Sequence, residues 1–185
     1  MSTRRQNLQV LINPTWEEML EREPLTGFSF FLSGRVNVLL GVADEILENL
    51  DQGFSKESVD GSRIDRAETL LWLWILGAYE VVRTMTQARD CFAPRVHDEL
   101  TRLKRGLSAV RMPAAKMEKP GKKQPVTSNR SPFGWDISKR DLLVNDPEVA
   151  PDLSARDLLA KFEQVFSAIR KEDVLRPHEA SYTGA

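Results

Sequence analysis

Cysteine is nearly absent from this chain: Cys91 is the one cysteine in 185 residues. A single thiol closes no internal disulfide, so the fold must be held by packing, and nothing points to an oxidising compartment. Histidine is almost as scarce. His97 and His178 are the two present, and neither sits in a metal-ligand spacing such as H-E-x-x-H, so no metal site is expected. Long hydrophobic runs are missing too. The longest, Leu70 to Tyr79, has ten residues, half of the roughly 20 that a membrane span needs. It reads as a buried helix, and no membrane partner is expected. Charge of one sign is lacking overall, with 26 Lys and Arg against 27 Asp and Glu and a formal net charge of −1. No global field then draws the chain to nucleic acid or lipid. Phosphate-cradling glycine loops, the G-x-S-x-G elbow and paired C-x-x-C motifs are also missing. That removes the common cofactor and nucleophile classes, and no cofactor is expected. Met1 to Gln9 is polar and leads into no apolar targeting segment, so the expected setting is cytoplasmic.

What is present is helical periodicity. The composition, 41% hydrophobic and 29% charged, is that of a globular domain able to bury its own core. Asn13, Pro14 and Thr15 followed by Glu17 and Glu18 mark a short N-terminal helix that Pro24 stops, within a segment spanning 1–26. A first long helix is expected over 28–52. Phe28, Phe31, Leu32, Leu39, Ala43, Ile46, Leu47 and Leu50 recur there at steps that suit one helix face, and Gly34 and Gly41 allow a close crossing. The second, over 62–90 with Ser62 as N-cap, carries the stripe Ile64, Ala67, Leu71, Trp74, Ala78, Val81, Val82 and Met85. Leu70, Trp72, Leu73, Leu76 and Tyr79 cover much of its remaining surface, so it should be the central post, with the other long helices packed around it.

The third helix, 94–112, shows a heptad seam of Val96, Leu100, Leu103, Leu107 and Val110, with Pro113 expected to kink or end it. Residues 117–132 are a basic loop rich in Lys, Pro, Gly and Ser. A small hairpin is expected at 133–145. The last helix, 154–171, is capped by Ser154 and carries the stripe Leu158, Leu159, Phe162, Val165, Phe166 and Ile169. The expected fold is thus mainly α. It is a bundle of about four long helices over 27–175, with a basic loop or small hairpin before the last helix and a flexible tail at 176–185.

Two groups of residues could carry chemistry. Tyr79, Arg83 and Gln87 share a helix face, and Glu80 pairs with Arg83 at i, i+3. With Arg111 and Lys116 they make a candidate polar cluster. It is either an anion pocket between helices or a salt bridge where the helix emerges toward solvent. The second group is basic. Between Arg102 and Arg130 stand nine cations and one acid, Glu118. Arg102, Arg105, Lys119, Lys122, Lys123 and Arg130 are the candidate contacts for an anionic or nucleic-acid partner through residues 102–130. No aromatic residue lies within that stretch to stack on bases, and the plainer reading is a solvated loop. His97 and Cys91 read as ordinary surface and loop-end side chains.

The stretches Gly77–Thr84 (GAYEVVRT) and Val110–Glu118 (VRMPAAKME) resemble a family of small bacterial helical proteins with no assigned activity. The resemblance implies a bacterial, cytoplasmic setting and singles out Glu80, Arg83, Arg111 and Lys116. The bundle is also similar in outline to the HEPN helical ribonucleases. Their Arg and His lie four to six residues apart on one helix, whereas seven residues separate Arg89 from His97, and Arg170 from His178. The ribonuclease pattern is not met. Three functions are therefore carried forward. The leading one is a non-enzymatic binding or regulatory module, self-associating through its helices. The others are a nucleic-acid-binding or RNA-processing protein and an enzyme acting on an anionic small molecule.

Overall fold

The structure, a computed structural model, describes residues 12–55, 57–116, 118, 124–125, 133–144 and 153–178. Among the described residues, five α-helices and a small sheet follow in chain order: α1 (Trp16–Arg22), α2 (Phe30–Gly53), α3 (Gly61–Gln87), α4 (Pro94–Lys116), β1 (Phe133–Asp136), β2 (Asp141–Val144), β3 (Leu153–Ser154) and α5 (Ala155–Ser167). The mainly helical bundle read from the periodicity is the observed fold, and the hairpin falls where it was expected. The third strand was not anticipated.

Local chemistry sets each helix start. Thr15 and Glu18 form a reciprocal capping box at α1, with Thr15 N–H donating to Glu18 Oε2 at 2.8 Å. Ser29 caps α2. At α3 the cap is Asp60 and not Ser62. Its Oδ1 accepts from the backbone of Ser62 at 3.0 Å and of Arg63 at 3.3 Å, and from the Ser62 hydroxyl at 2.6 Å. A carboxylate outcompetes a hydroxyl for helix N–H groups because the acceptor is charged. Ser154 caps α5 as expected.

α2 and α3 run antiparallel. Arg66 meets Glu45 at 2.9 Å, Arg63 meets Asn49 at 3.3 Å, and the Trp74 indole N–H donates to the Leu39 carbonyl at 3.0 Å. The expected stripe of α3 is buried throughout, from Ile64 to Met85. The seam of α4 is buried as well, at Val96, Leu100, Leu103, Leu107 and Val110. α3 thus lies between α2 and α4, and α5 reaches it through Phe162, whose ring meets Trp74 edge-on at 5.1 Å. The wrapping is incomplete, because Trp72 and Leu73 remain 41% and 52% exposed on the outer side of α3. On α2, Phe31 faces solvent beneath the Arg35 guanidinium, and Val36 takes the core position instead.

Pro113 does not end α4, which continues to Lys116. The proline falls in the last turn, so one carbonyl, that of Ala109, loses its helical donor, and burial of the Pro113 ring offsets that loss. Gly34, one of the two glycines expected at a close helix crossing, makes none. A Cβ at Gly34 would meet nothing, whereas one at Gly53 would collide with Ile64 Cδ1, and one at Gly77 would lie 3.1 Å from Leu39. After α5, Val174 pairs with Phe92, Leu175 N–H donates to the Cys91 carbonyl, and His178 N–H donates to the Phe28 carbonyl at 2.8 Å. The chain therefore stays docked through Arg176–His178, the first residues of the expected tail.

Two outcomes follow for urea unfolding. Gly53→Ala should lose about 1–3 kcal/mol, since Ile64 is immobile in the core and the added methyl overpacks it. Gly34→Ala, in open space on the same helix, should gain about 0.5–1 kcal/mol. A pH dependence follows from Asp60, whose carboxyl is held below its ordinary value first by the Ser62 hydroxyl and then by the Arg63 N–H. A depressed carboxyl lends stability above its unfolded pKa and loses it as pH falls through the folded one. Asp60→Ala should therefore lower the melting temperature at neutral pH, and the gap to the native chain should close on acidification.

Candidate functional site

The polar cluster on α3 does assemble with α4. Glu80 accepts from Arg83 at 2.8 Å along α3 and faces Arg111 of α4 at 3.5 Å. The Arg111 guanidinium also stacks on the Tyr79 ring, 4.5 Å from its centroid. Tyr79, Glu80, Arg83 and Arg111 are thus one unit, and it is the inter-helix salt bridge of the plainer reading. One carboxylate already bridges both cations. Arg111 Nε is buried and has no hydrogen-bond partner among the described residues, while Arg83 and Glu80 stay about half exposed. Gln87 stands apart, two turns on and exposed. Lys116 closes α4, but its side chain lies outside the described residues.

The basic segment is only partly described. Arg102 and Arg105 are exposed on α4, with Arg102 paired to Glu99 at 2.5 Å. Lys119, Lys122, Lys123 and Arg130 lie outside the described residues. The heptad seam, which motivated self-association, is used inside the chain against the neighbouring helices. The apolar groups left to solvent on the long helices are elsewhere, and include Phe30, Phe31 and Val38 on α2 and Trp72 and Leu73 on α3.

A broad concavity lies along α4. It is a groove of about 990 Å³ between α4, the hairpin and α5. Its apolar floor comes from Val96 and Leu103 on α4, Leu143 and Leu153 on the sheet, and Leu158 and Val165 on α5. Five cations stand around it: Arg95, Arg102, Lys139, Arg156 and Lys161. Sequence reasoning found one of them, Arg102. The others are scattered through three elements and carry no spacing signal.

Asp141 holds this groove together. β2 alternates, with Leu142 and Val144 entering the core while Asp141 and Leu143 face the groove. Asp141 is 3% exposed. Its Oδ1 accepts from Leu142 N–H at 2.8 Å and Arg156 N–H at 3.3 Å, and its Oδ2 accepts from the Ser154 hydroxyl. Ser154 in turn caps α5, receiving Asp157 N–H at 3.1 Å. A buried carboxylate thereby joins sheet to helix start, where the helix dipole favours negative charge. Arg156 extends the joint to α2 through Asp51 at 2.7 Å.

A smaller cavity of about 390 Å³ lies between Asp65, Glu68, Trp72, Ala114 and Phe133. Burial, and secondarily the Asp65 charge, raise the Glu68 carboxyl above its ordinary value. No group of His, Cys, Asp and Glu among the described residues is arranged to hold a metal ion. No helix there is long and apolar enough to cross a membrane. His97 lies on α4 while Arg89 sits in the preceding turn, so the two share no helix. No protein family, curated protein or solved structure matches this chain.

The Asp141 joint makes a direct prediction. Asp141→Ala leaves the Ser154 hydroxyl and the Arg156 N–H without their acceptor and should cost about 2–4 kcal/mol. Asp141→Asn, which keeps an acceptor oxygen, should cost less. Denaturant titration of both variants measures the difference.

Proposed function

We propose that this chain is a non-catalytic binding module that works through the groove between α4, the hairpin and α5. The observation that carries the reading is a concavity of about 990 Å³ whose floor is apolar and whose rim carries five cations beside the acids Glu99 and Asp157. Sites that hold ligands are concave and mostly apolar, with a few polar groups fixing orientation. Of the three acids lining the groove, Asp141 is engaged in holding the scaffold and Glu99 is paired with Arg102, while Asp157 is exposed in the first turn of α5. A bacterial, cytoplasmic setting belongs to the same reading, in keeping with the resemblance and the single thiol.

Nucleic-acid binding through Arg102, Arg105 and the segment to Arg130 is the second reading. The cations of the groove rim favour it. The groove lining weakens it, since no aromatic ring is there to stack on a base.

The test uses a fluorescent apolar anion, anilinonaphthalene sulfonate. Gly106 lines the groove, and a Cβ there meets nothing within 4 Å. Gly106→Trp should fill the groove without touching the core. It should weaken probe binding at least about tenfold with the unfolding midpoint nearly unchanged. Gly34→Trp, equally open but on α2, should leave probe binding intact. Equal probe binding by both variants and the native chain would remove the groove as the site.

A further inference from the structure

We infer that the outer face of α2 and α3 pairs with the same face of a second copy of this chain, the two copies running antiparallel about a two-fold axis. This face lies apart from the groove, since α5 reaches α3 from the other side, at Trp74. It is built from two rows that step by seven residues, the spacing by which one helix presents a seam to another. On α2 the row is Phe31, Val38 and Glu45, and on α3 it is Arg66, Leu73 and Glu80. Arg66 meets Glu45 at 2.9 Å, and the two helices run in opposite directions. Seven residues along, Val38 therefore stands level with Leu73, and seven further, Phe31 with Glu80. Val38 and Leu73 are 59% and 52% exposed, and Phe30 and Phe31 are 78% and 66% exposed. Trp72 widens the patch toward α4.

Area and charge both select a second copy. These apolar side chains leave about 600 Å² in water, at the upper end of what a solitary protein exposes in one patch. A standard interface buries about 800 Å² on each partner, and homodimers make about 65% of it apolar. The patch thus supplies the apolar share of one half-interface. Two-fold pairing also needs a face that complements itself. Arg35 is the one cation on α2, and the acids of that helix, Asp44, Glu45, Glu48 and Asp51, all follow Val38. Arg35 lies against the Phe31 ring, 4.7 Å from its centroid, with no carboxylate partner among the described residues. Glu48 has no cation partner among them either, and accepts from the Gln52 amide at 3.0 Å. Turning one copy end for end about the level of Val38 and Leu73 brings Arg35 of each copy toward Glu48 of the other. It also sets Leu73 against Leu73 and Glu80 level with Arg66. Parallel pairing would instead lay the acids of one α2 on those of the other.

The experiment is sedimentation equilibrium of the full chain across a range of concentrations. The native chain should weigh twice its 21.0 kDa at tens of micromolar and dissociate on dilution. Leu73→Glu and Val38→Glu, at exposed positions that leave the core alone, should each weaken pairing at least about tenfold, with helical circular dichroism unchanged. Ile137→Glu, equally exposed in the hairpin turn, should leave pairing intact. Disulfide trapping in a Cys91→Ser background reads the geometry. Leu73→Cys should link to itself. Phe31→Cys should link to Glu45→Cys when the two proteins are mixed, and not to itself. A monomer at every concentration, or a dimer indifferent to both Leu73→Glu and Val38→Glu, would overturn the assignment. Phe31→Cys linking to itself and not to Glu45→Cys would overturn the antiparallel arrangement.

Discussion

The architecture depends on the burial of Trp74. Its ring is almost wholly inside the protein, its N–H is satisfied by a carbonyl on α2, and its face receives Phe162 from α5. An indole is large and apolar but carries one donor, so it can be buried only where an acceptor meets it. The Leu39 carbonyl meets that requirement and so sets the register of α2 against α3. Gly77, one turn further along α3, leaves room for the Leu39 side chain at the same crossing. One residue thereby links α2, α3 and the distant α5.

The groove exists because a second, polar joint fixes α5 from the other side. Trp74 draws Phe162 inward, while Asp141 and Ser154 hold the first turn of α5 against β2. α5 is thus held at its middle by packing and at its start by a buried carboxylate. It touches α4 along part of its length, as the Arg95–Ala168 hydrogen bond shows, and the groove opens where the hairpin meets both helices. The two joints differ in kind. The aromatic one is non-directional and dominated by area, whereas the carboxylate one is directional and sets angle. The two together fix α5 against α3 and the hairpin.

The α3 stripe, the α4 seam, the hairpin and the Ser154 cap were all legible in the sequence. Each is a local pattern: a spacing, a turn signal or a capping residue next to the helix it serves. The misreadings share one cause. Asp60 over Ser62, and Gly53 and Gly77 over Gly34 as the close contacts, were decided by what packs or competes nearby. The polar cluster of Glu80, Arg83 and Arg111 was visible because helical spacing brings two of its members together. The groove was not visible, because Arg95, Lys139, Arg156 and Lys161 converge only after three elements have assembled. Asp141 carried no signal at all. In the sequence it is one more acid beside a turn.

The docking of residues 174–178 has a chemical corollary for the chain's lone thiol. Cys91 is buried, its carbonyl is taken by Leu175 N–H, and its Sγ lies 3.7 Å from the Pro177 carbonyl. Lifting this strap away would uncover the sulfur to an electrophile or oxidant. The rate of that reaction then scales with how often the strap opens. The sulfur becomes a clock for the loosening of one edge of the bundle, distinct from the melting of its centre.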